Sequence, residues 1–320
     1  MWTCYKVYLE AKAQIYIGYG AKLGIVDRTR YYIPAKNIWG ALTNLIAKSV
    51  MRNYDSEIYQ EIGEFLNENI KFSYFYPIKY ERNNREIKVL QVFAPYYTEE
   101  GLKFGIYKKE EKISLEEFEQ MFISSFVSTA LDKTSKSAEE GSLHEIEFIK
   151  DKIKQNGRFK PTIFMGYLFV KNIPLKFEVE GNEIEISFIN SIEVNRVELN
   201  EIWIGGERNY GFGRTKATLE KFNDKKINLF DSGMLVDATE EQLIVSCEDE
   251  HRTALSHVSI ENLGTKLVRG DIEPLIGREW GEKGSGQEIS QAAKICITPG
   301  SQFITDVDIS IGVFGVWSST

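Results

Sequence analysis

The chain has 320 residues, 42% of them hydrophobic and 27% charged, the composition of a globular protein with enough chain for one large domain or two ordinary ones. Its net charge of −8 counts against a free, non-specific nucleic-acid binder. It has no apolar run long enough to span a membrane, and its three cysteines (Cys4, Cys247, Cys296) form no CxxC, which excludes a disulfide framework or zinc knuckle and leaves buried structural thiols. The first residues enter a strand pattern without an apolar leader, so a cytoplasmic protein is expected.

Residues 5–17 alternate apolar and polar side chains and predict a strand, broken at Gly18-Tyr19-Gly20. Pro34 suits a helix start, and Ile38, Leu42, Leu45 and Ile46 follow on one helical face. A second helix is predicted over 55–69, with Ile58, Ile62, Phe65 and Leu66 on one side, and then a β-prone segment, Lys71–Pro77. Residues 79–115 read as an insertion with short strands, and 115–126 as a short helix. Residues 128–141, rich in hydroxyls and poor in large apolar groups, read as an exposed, mobile arm. Alternation returns at 143–149, and 162–170 is an apolar strand. A hairpin turns at Glu180-Gly181-Asn182; 194–203 is predicted as a short helix, and Thr215–Phe222 as a strand. Further strands follow in 233–320. This order implies an α+β fold of antiparallel sheets, with ferredoxin-like βαββαβ as the natural candidate. The division expected is a first domain over 1–225, with its insertion at about 79–150, and a second β-rich part over 226–320 packed on it.

Charge is uneven along the chain. Residues 1–50 hold seven Lys/Arg against two acids, a balance of 7 − 2 = +5, so the rest sums to −13. A basic face on an acidic body suits a protein that holds RNA on one side and protein on others.

The segment with the clearest chemistry is Gly205-Gly206-Glu207-Arg208-Asn209-Tyr210-Gly211-Phe212-Gly213-Arg214. Four glycines in nine residues cannot form a stable helix or strand interior. Bared amides there could cradle an anion, Arg208 and Arg214 could fork onto phosphate, and Tyr210 and Phe212 could stack on unpaired bases. The plain alternative is a tight glycine connection with an aromatic plug. The segment lacks both the Gly-Lys-Ser/Thr ending of a P-loop and the strand-first context of a dinucleotide fingerprint. Histidines His144, His251 and His257 read as structural or exposed, and Glu248–Glu250 with His251 as a solvated acidic turn.

GGERNYGFGR resembles the C-terminal glycine-rich motif of RAMP superfamily CRISPR-associated proteins. YIPAKNIWGALTNLI resembles the Ile-Pro segment that opens their first helix in type III subunits, and TALDKTSKSAEEGSLHEIEFI resembles their arm. The three occur in the family's order over residues 5–220. The resemblance is greatest to the subunit capping the 5′ tag of the guide RNA: besides IPAKNIWGAL, it covers Ser73–Pro77, Arg269-Gly270, Gly277–Trp280 and Pro299–Phe303. Ala35-Lys36 departs from the hydroxyl residues usual there. The resemblance implies a non-catalytic, guide-binding subunit of an antiviral type III effector ribonucleoprotein. Its partners would be the guide RNA, other RAMP subunits, the large subunit and, through the guide, target RNA. RNA contacts would come from Gly205, Gly206, Arg208, Asn209, Tyr210, Gly211, Phe212, Gly213, Arg214, Lys36, Asn37, Thr129, Asp132 and Lys133. No cofactor is expected. The runner-up is the repeated backbone subunit, in which Asp27 would be the catalytic residue of a target-cutting endoribonuclease, with a divalent metal. A globular anion-binding protein unrelated to RNA is the third reading.

Overall fold

The computed structural model describes the chain except residues 19–24, 52–54, 85, 107–108, 131–136, 138–141, 172, 180, 248, 250–251, 262–263, 265, 282–283 and 290–293, and over 278–289 it describes the backbone alone. At the centre is a sheet built around β1 (Trp2–Ala11). Ile163–Lys171 flanks β1 on one side and Arg214–Phe222 on the other, both antiparallel, in registers that pair Glu10 with Ile163 and Ala11 with Thr215. The full order is Glu201–Trp203, Arg214–Phe222, β1, Ile163–Lys171, then Tyr76–Asn83 and Glu86–Val92; Ile70–Phe72 also pairs with Ile163–Lys171. Ile163–Lys171 (IFMGYLFVK) is buried at every position but the last, as an apolar run covered on both faces should be.

Helix α1 (Ala35–Val50) begins after Pro34, whose extended backbone supplies the entry without a side-chain cap. Helix α2 (Ser56–Asn69) is capped by Asp55, whose carboxylate accepts from the amides of Glu57 at 2.8 Å and Ile58 at 3.4 Å. Ile38, Leu42 and Ile46 of α1 and Ile58, Ile62 and Leu66 of α2 are buried, as their spacing requires. Helix α3 (Leu115–Phe122) opens with a Ser114–Glu117 capping box and stops at Phe122. The segment predicted as helix to 126 instead turns into a strand, Ile123–Ser128, where β-branched and hydroxyl residues replace good helix formers. The strand predicted over 5–17 likewise ends at Ala11.

A correction falls at 194–203, predicted as a helix. The chain there forms a meander: Leu175–Val179, Asn182–Phe188, Ile192–Val194 and Val197–Leu199 make a four-stranded antiparallel sheet, and Glu201–Trp203 joins the central one. The turn between Ile192–Val194 and Val197–Leu199 is Asn195-Arg196, both at positive φ (49° and 66°).

Residues 226–320 build an eight-stranded sheet that runs from Lys226–Asn228 to Ile272–Leu275. It shares one buried cluster with the rest, from Trp2 to Trp317. Polar bonds seal the junction: the Tyr76 hydroxyl donates to the Leu255 carbonyl at 2.9 Å, and the Phe230 amide to the Tyr167 hydroxyl at 3.1 Å. His257, fully buried, sits between Tyr74 (hydroxyl to Nδ1, 2.6 Å) and Glu273 (carboxylate to Nε2, 2.5 Å). The Glu273 carboxylate also accepts from Arg30 at 2.7 Å. No helix among the described residues is long and apolar enough to cross a membrane.

Candidate nucleic-acid interface

The glycine-rich loop links Glu201–Trp203 to Arg214–Phe222 at one end of the central sheet. Gly205 and Gly213 are at positive φ (82° and 90°), and a Cβ on either would lie 2.1 Å from the Tyr16 carbonyl oxygen or 2.3 Å from that of Ile204. Only glycine permits this approach. The amides are largely spent inside the protein. Gly206 donates to Tyr16 at 3.0 Å, Gly213 to Gln14 at 2.7 Å, Tyr210 to Glu207 at 3.0 Å and Gly211 to Arg208 at 2.9 Å. The expected cradle of bared amides is therefore corrected for these four: they fasten the loop to the segment after β1 and close its own turn.

The side chains divide into anchors and displayed groups. Phe212 is buried and meets Phe148 edge-on at 5.3 Å, so it is an anchor and not a stacking face for a base. Arg208 donates to the Trp203 carbonyl at 2.9 Å and the Gly205 carbonyl at 3.3 Å, fixing the turn while its side chain stays at the surface. Arg214 pairs with Glu201 through two bonds, 2.7 and 3.2 Å; their mutual hydrogen bonding lowers the Glu201 carboxyl from its ordinary value and raises the Arg214 guanidinium. Asn209 is exposed, and Tyr210 is 49% exposed with its ring 5.9 Å from that of Phe126.

Three predicted segments come together here. Ile123–Ser128, which carries Phe126, pairs with His144–Ile149; that strand pairs in parallel with Val26–Asp27 on its other side. Tyr16, beneath the loop, is raised from the usual tyrosine value by burial and by the charges of Asp27 and Glu207. Asp27 lies on the strand that flanks the Phe126-bearing sheet on its far edge. Thr129 is exposed at the base of the arm, its hydroxyl 2.8 Å from that of Ser142. Asp132 and Lys133 lie outside the described residues. The Lys36 ammonium sits over the Phe314 ring at 4.8 Å and against Gly277. The Asn37 amide donates to Pro34 at 3.0 Å within the first turn of α1. Among the described residues no group of three or more His, Cys, Asp and Glu is placed to hold a metal ion.

The family model of the RAMP superfamily matches residues 8–216, from within β1 to the first residues of Arg214–Phe222, and takes in the glycine-rich loop. The chain belongs to the RAMP superfamily. Solved structures add the likeness of fold. For a chain in the cryo-EM structure of Type III-B Cmr-beta bound to cognate target RNA, the TM-score is 0.50 at 14% identity, over 94% of this RAMP protein and 86% of that chain. A chain of Type III-B Cmr-beta bound to cognate target RNA and AMPPnP gives a TM-score of 0.49 at the same identity and coverage. The first likeness reaches past residue 216 into the C-terminal strands. A search of curated proteins gives no match.

Sequence reasoning missed several residues of this RAMP surface. Tyr16 and Gln14 supply the carbonyls that dock the loop. Phe126 (43% exposed) presents an apolar ring beside Tyr210, and Val127 (57% exposed) follows it on the same strand. Phe126 and Val127 had a signal: two large apolar residues entering a hydroxyl-rich arm. Tyr16 and Gln14 had none, because a backbone carbonyl carries no sequence preference.

Proposed function

We propose that the chain is a non-catalytic guide-RNA-binding subunit of a type III CRISPR effector ribonucleoprotein, holding the region of the 5′ tag and contacting neighbouring subunits. One observation carries this reading. A loop pinned to the core by Gly205, Gly213 and Phe212 displays Arg208, Asn209 and Tyr210 beside Phe126, in a chain of the RAMP superfamily. A rigid scaffold presenting a guanidinium, an amide and an aromatic face suits an RNA backbone and one unstacked base. Arg214, already paired with Glu201, contributes charge by exchanging partners with phosphate.

The strand order supports a ferredoxin-like core. Arg214–Phe222, β1, Ile163–Lys171 and Tyr76–Asn83 are the fourth, first, third and second strands of a βαββαβ unit whose first crossover is α1–α2 and whose second helix is replaced by the meander. On this reading the first part runs to about residue 225 and the C-terminal strands form a second part packed on it. Likeness to a chain of an assembly bound to cognate target RNA supports target RNA and sister subunits as partners, and guide RNA is the partner proposed with them. A soluble, cytoplasmic particle is the proposed setting.

A second reading rests on Asp27, whose strand Val26–Asp27 joins the sheet that carries Phe126 beside Tyr210. There the chain would be a backbone subunit and Asp27 would act on target RNA; the described residues alone make no metal centre for it. Asp27→Ala in the assembled complex separates the two. Under the scaffold reading guide retention and target cutting both persist. Loss of cutting at the sites this subunit faces, with assembly intact, establishes the second.

A further inference from the structure

One end of the central sheet carries, besides the glycine-rich loop, a feature with no role so far. Lys152–Gln155 and Arg158–Pro161 form a two-stranded hairpin apart from the main sheets. Its turn is Asn156-Gly157, both at positive φ (50° and 76°), the geometry of a tight two-residue hairpin. Ile153 and Gln155 are buried and root one face in the core. By the two-residue alternation of a strand, Lys152, Lys154 and Phe159 point the other way, and Lys154 stands directly opposite Phe159. Phe159 is 75% exposed, more than any other large apolar side chain of the described residues except Met1.

The charge around it is one-sided. Residues 150–160 hold five basic side chains against Asp151 alone, in a chain whose net charge is −8. Lys152, Lys154 and Arg158 form no ion pair with any described carboxylate. Lys160 lies over the Tyr80 ring at 5.6 Å. An aromatic ring standing in solvent between unpaired lysines is poor material for a protein interface, whose centre is depleted in lysine. It is the standard makeup of a single-strand platform, where a base stacks on the ring and cations hold the phosphates.

Position strengthens the argument. The hairpin leads into Ile163–Lys171 where β1 ends: the Ala11 amide donates to Thr162 at 2.9 Å, and the next amide, Lys12, to Arg214 at 2.8 Å. The hairpin root and the start of Arg214–Phe222 therefore flank the end of β1, about 10 Å apart by strand spacing. Lys12 and Arg82 both donate to Glu10, near the end of β1. We propose that the hairpin Lys152–Pro161 is a second contact for single-stranded RNA, with Phe159 stacking on an unpaired base and Lys152 and Lys154 on its phosphates, so that one strand runs from the loop along the sheet end to the hairpin. This rests on the guide-binding reading.

The test uses the full chain, alone and in its assembled complex, with a fluorescein-labelled oligouridylate read by anisotropy over a series of salt concentrations. Phe159→Ala is expected to weaken binding about tenfold with little change in salt dependence. Lys152→Ala with Lys154→Ala is expected to flatten the log K against log salt slope by about 1.4, roughly 0.7 for each lost contact. Wild-type affinity and slope in both variants, while Tyr210→Ala weakens binding, would overturn the hairpin site and leave the guide-binding reading standing. Absence of oligouridylate binding by wild type, even in the complex, would overturn both. Unchanged RNA affinity with loss of a sister subunit on purification would make the hairpin a protein contact and also overturn the proposal.

Discussion

The amide of Gly213 donates to the carbonyl of Gln14 at 2.7 Å, across some two hundred residues of chain. This bond and its neighbour from Gly206 to Tyr16 make the glycine-rich loop a rigid support. The glycines serve close approach of backbone to backbone, and the chemistry is left to the side chains between them.

Gly213→Ala should therefore be far more damaging than Gly211→Ala. Both sites have positive φ, but a Cβ at 213 would lie 2.3 Å from the Ile204 carbonyl oxygen whereas one at 211 meets open space. Urea denaturation should show a loss of about 3 kcal/mol for the first, backbone strain plus overlap, and about 1 kcal/mol for the second. Equal losses would mean that the contact with Ile204 carries no weight.

The two aromatic residues of the loop should separate cleanly. Phe212→Ala opens a cavity beside Phe148 and should cost about 3 kcal/mol of stability. Tyr210→Ala, at a half-exposed site, should leave the melting temperature nearly unchanged and weaken RNA binding about tenfold. Circular dichroism melts and RNA anisotropy on the same preparations check both.

Much of this was legible in the sequence, and the failures share a cause. Pro34 with the spacing of Ile38, Leu42 and Ile46 marks α1, and Asp55 marks the start of α2, because caps and apolar faces are local signals. Val194–Trp203 misled because its turn, Asn195-Arg196, reaches positive φ without glycine, held by the Asn195 carboxamide oxygen that accepts from the Glu185 amide at 2.9 Å. That the Gly206 and Gly213 amides are occupied by Tyr16 and Gln14, and that Lys36 sits over Phe314, depends on chain about two hundred residues or more away. No local pattern encodes such pairings.

The buried group of Arg30, Glu273 and His257 should make stability sensitive to acid. Burial alone would raise the Glu273 carboxyl; the His257 hydrogen bond and Arg30 outweigh it and hold it at about 2. Its contribution is present above the ordinary value near 4.5 and is lost as pH falls towards 2. Burial also holds the His257 imidazole below its ordinary 6.5, against the lifting effect of Glu273, while Tyr74 and Tyr32 pack on its ring. Below 6.5 the unfolded chain gains the proton first, so this group too favours unfolding on acidification. Wild-type stability should fall steadily from pH 6.5 downward, and Glu273→Gln should flatten the part below 4.5. A denaturation series over pH decides it.

Arg30→Ala strips the only cation bonded to Glu273 among the described residues and leaves a half-buried carboxylate beside His257. A loss of about 3 kcal/mol is expected. Because one buried cluster runs from Trp2 to Trp317, calorimetry should show a single transition for wild type and variant alike.

The most direct test of the guide-holding role is photo-crosslinking of the purified effector complex carrying 4-thiouridine guide, with the adducts mapped on this chain and the bound nucleotide identified. Adducts at Arg208–Tyr210, all to the first nucleotides of guides sharing one 5′ sequence, are the predicted result. A chain that yields no guide adduct, or whose adducts scatter along the variable part of the guide, contradicts it.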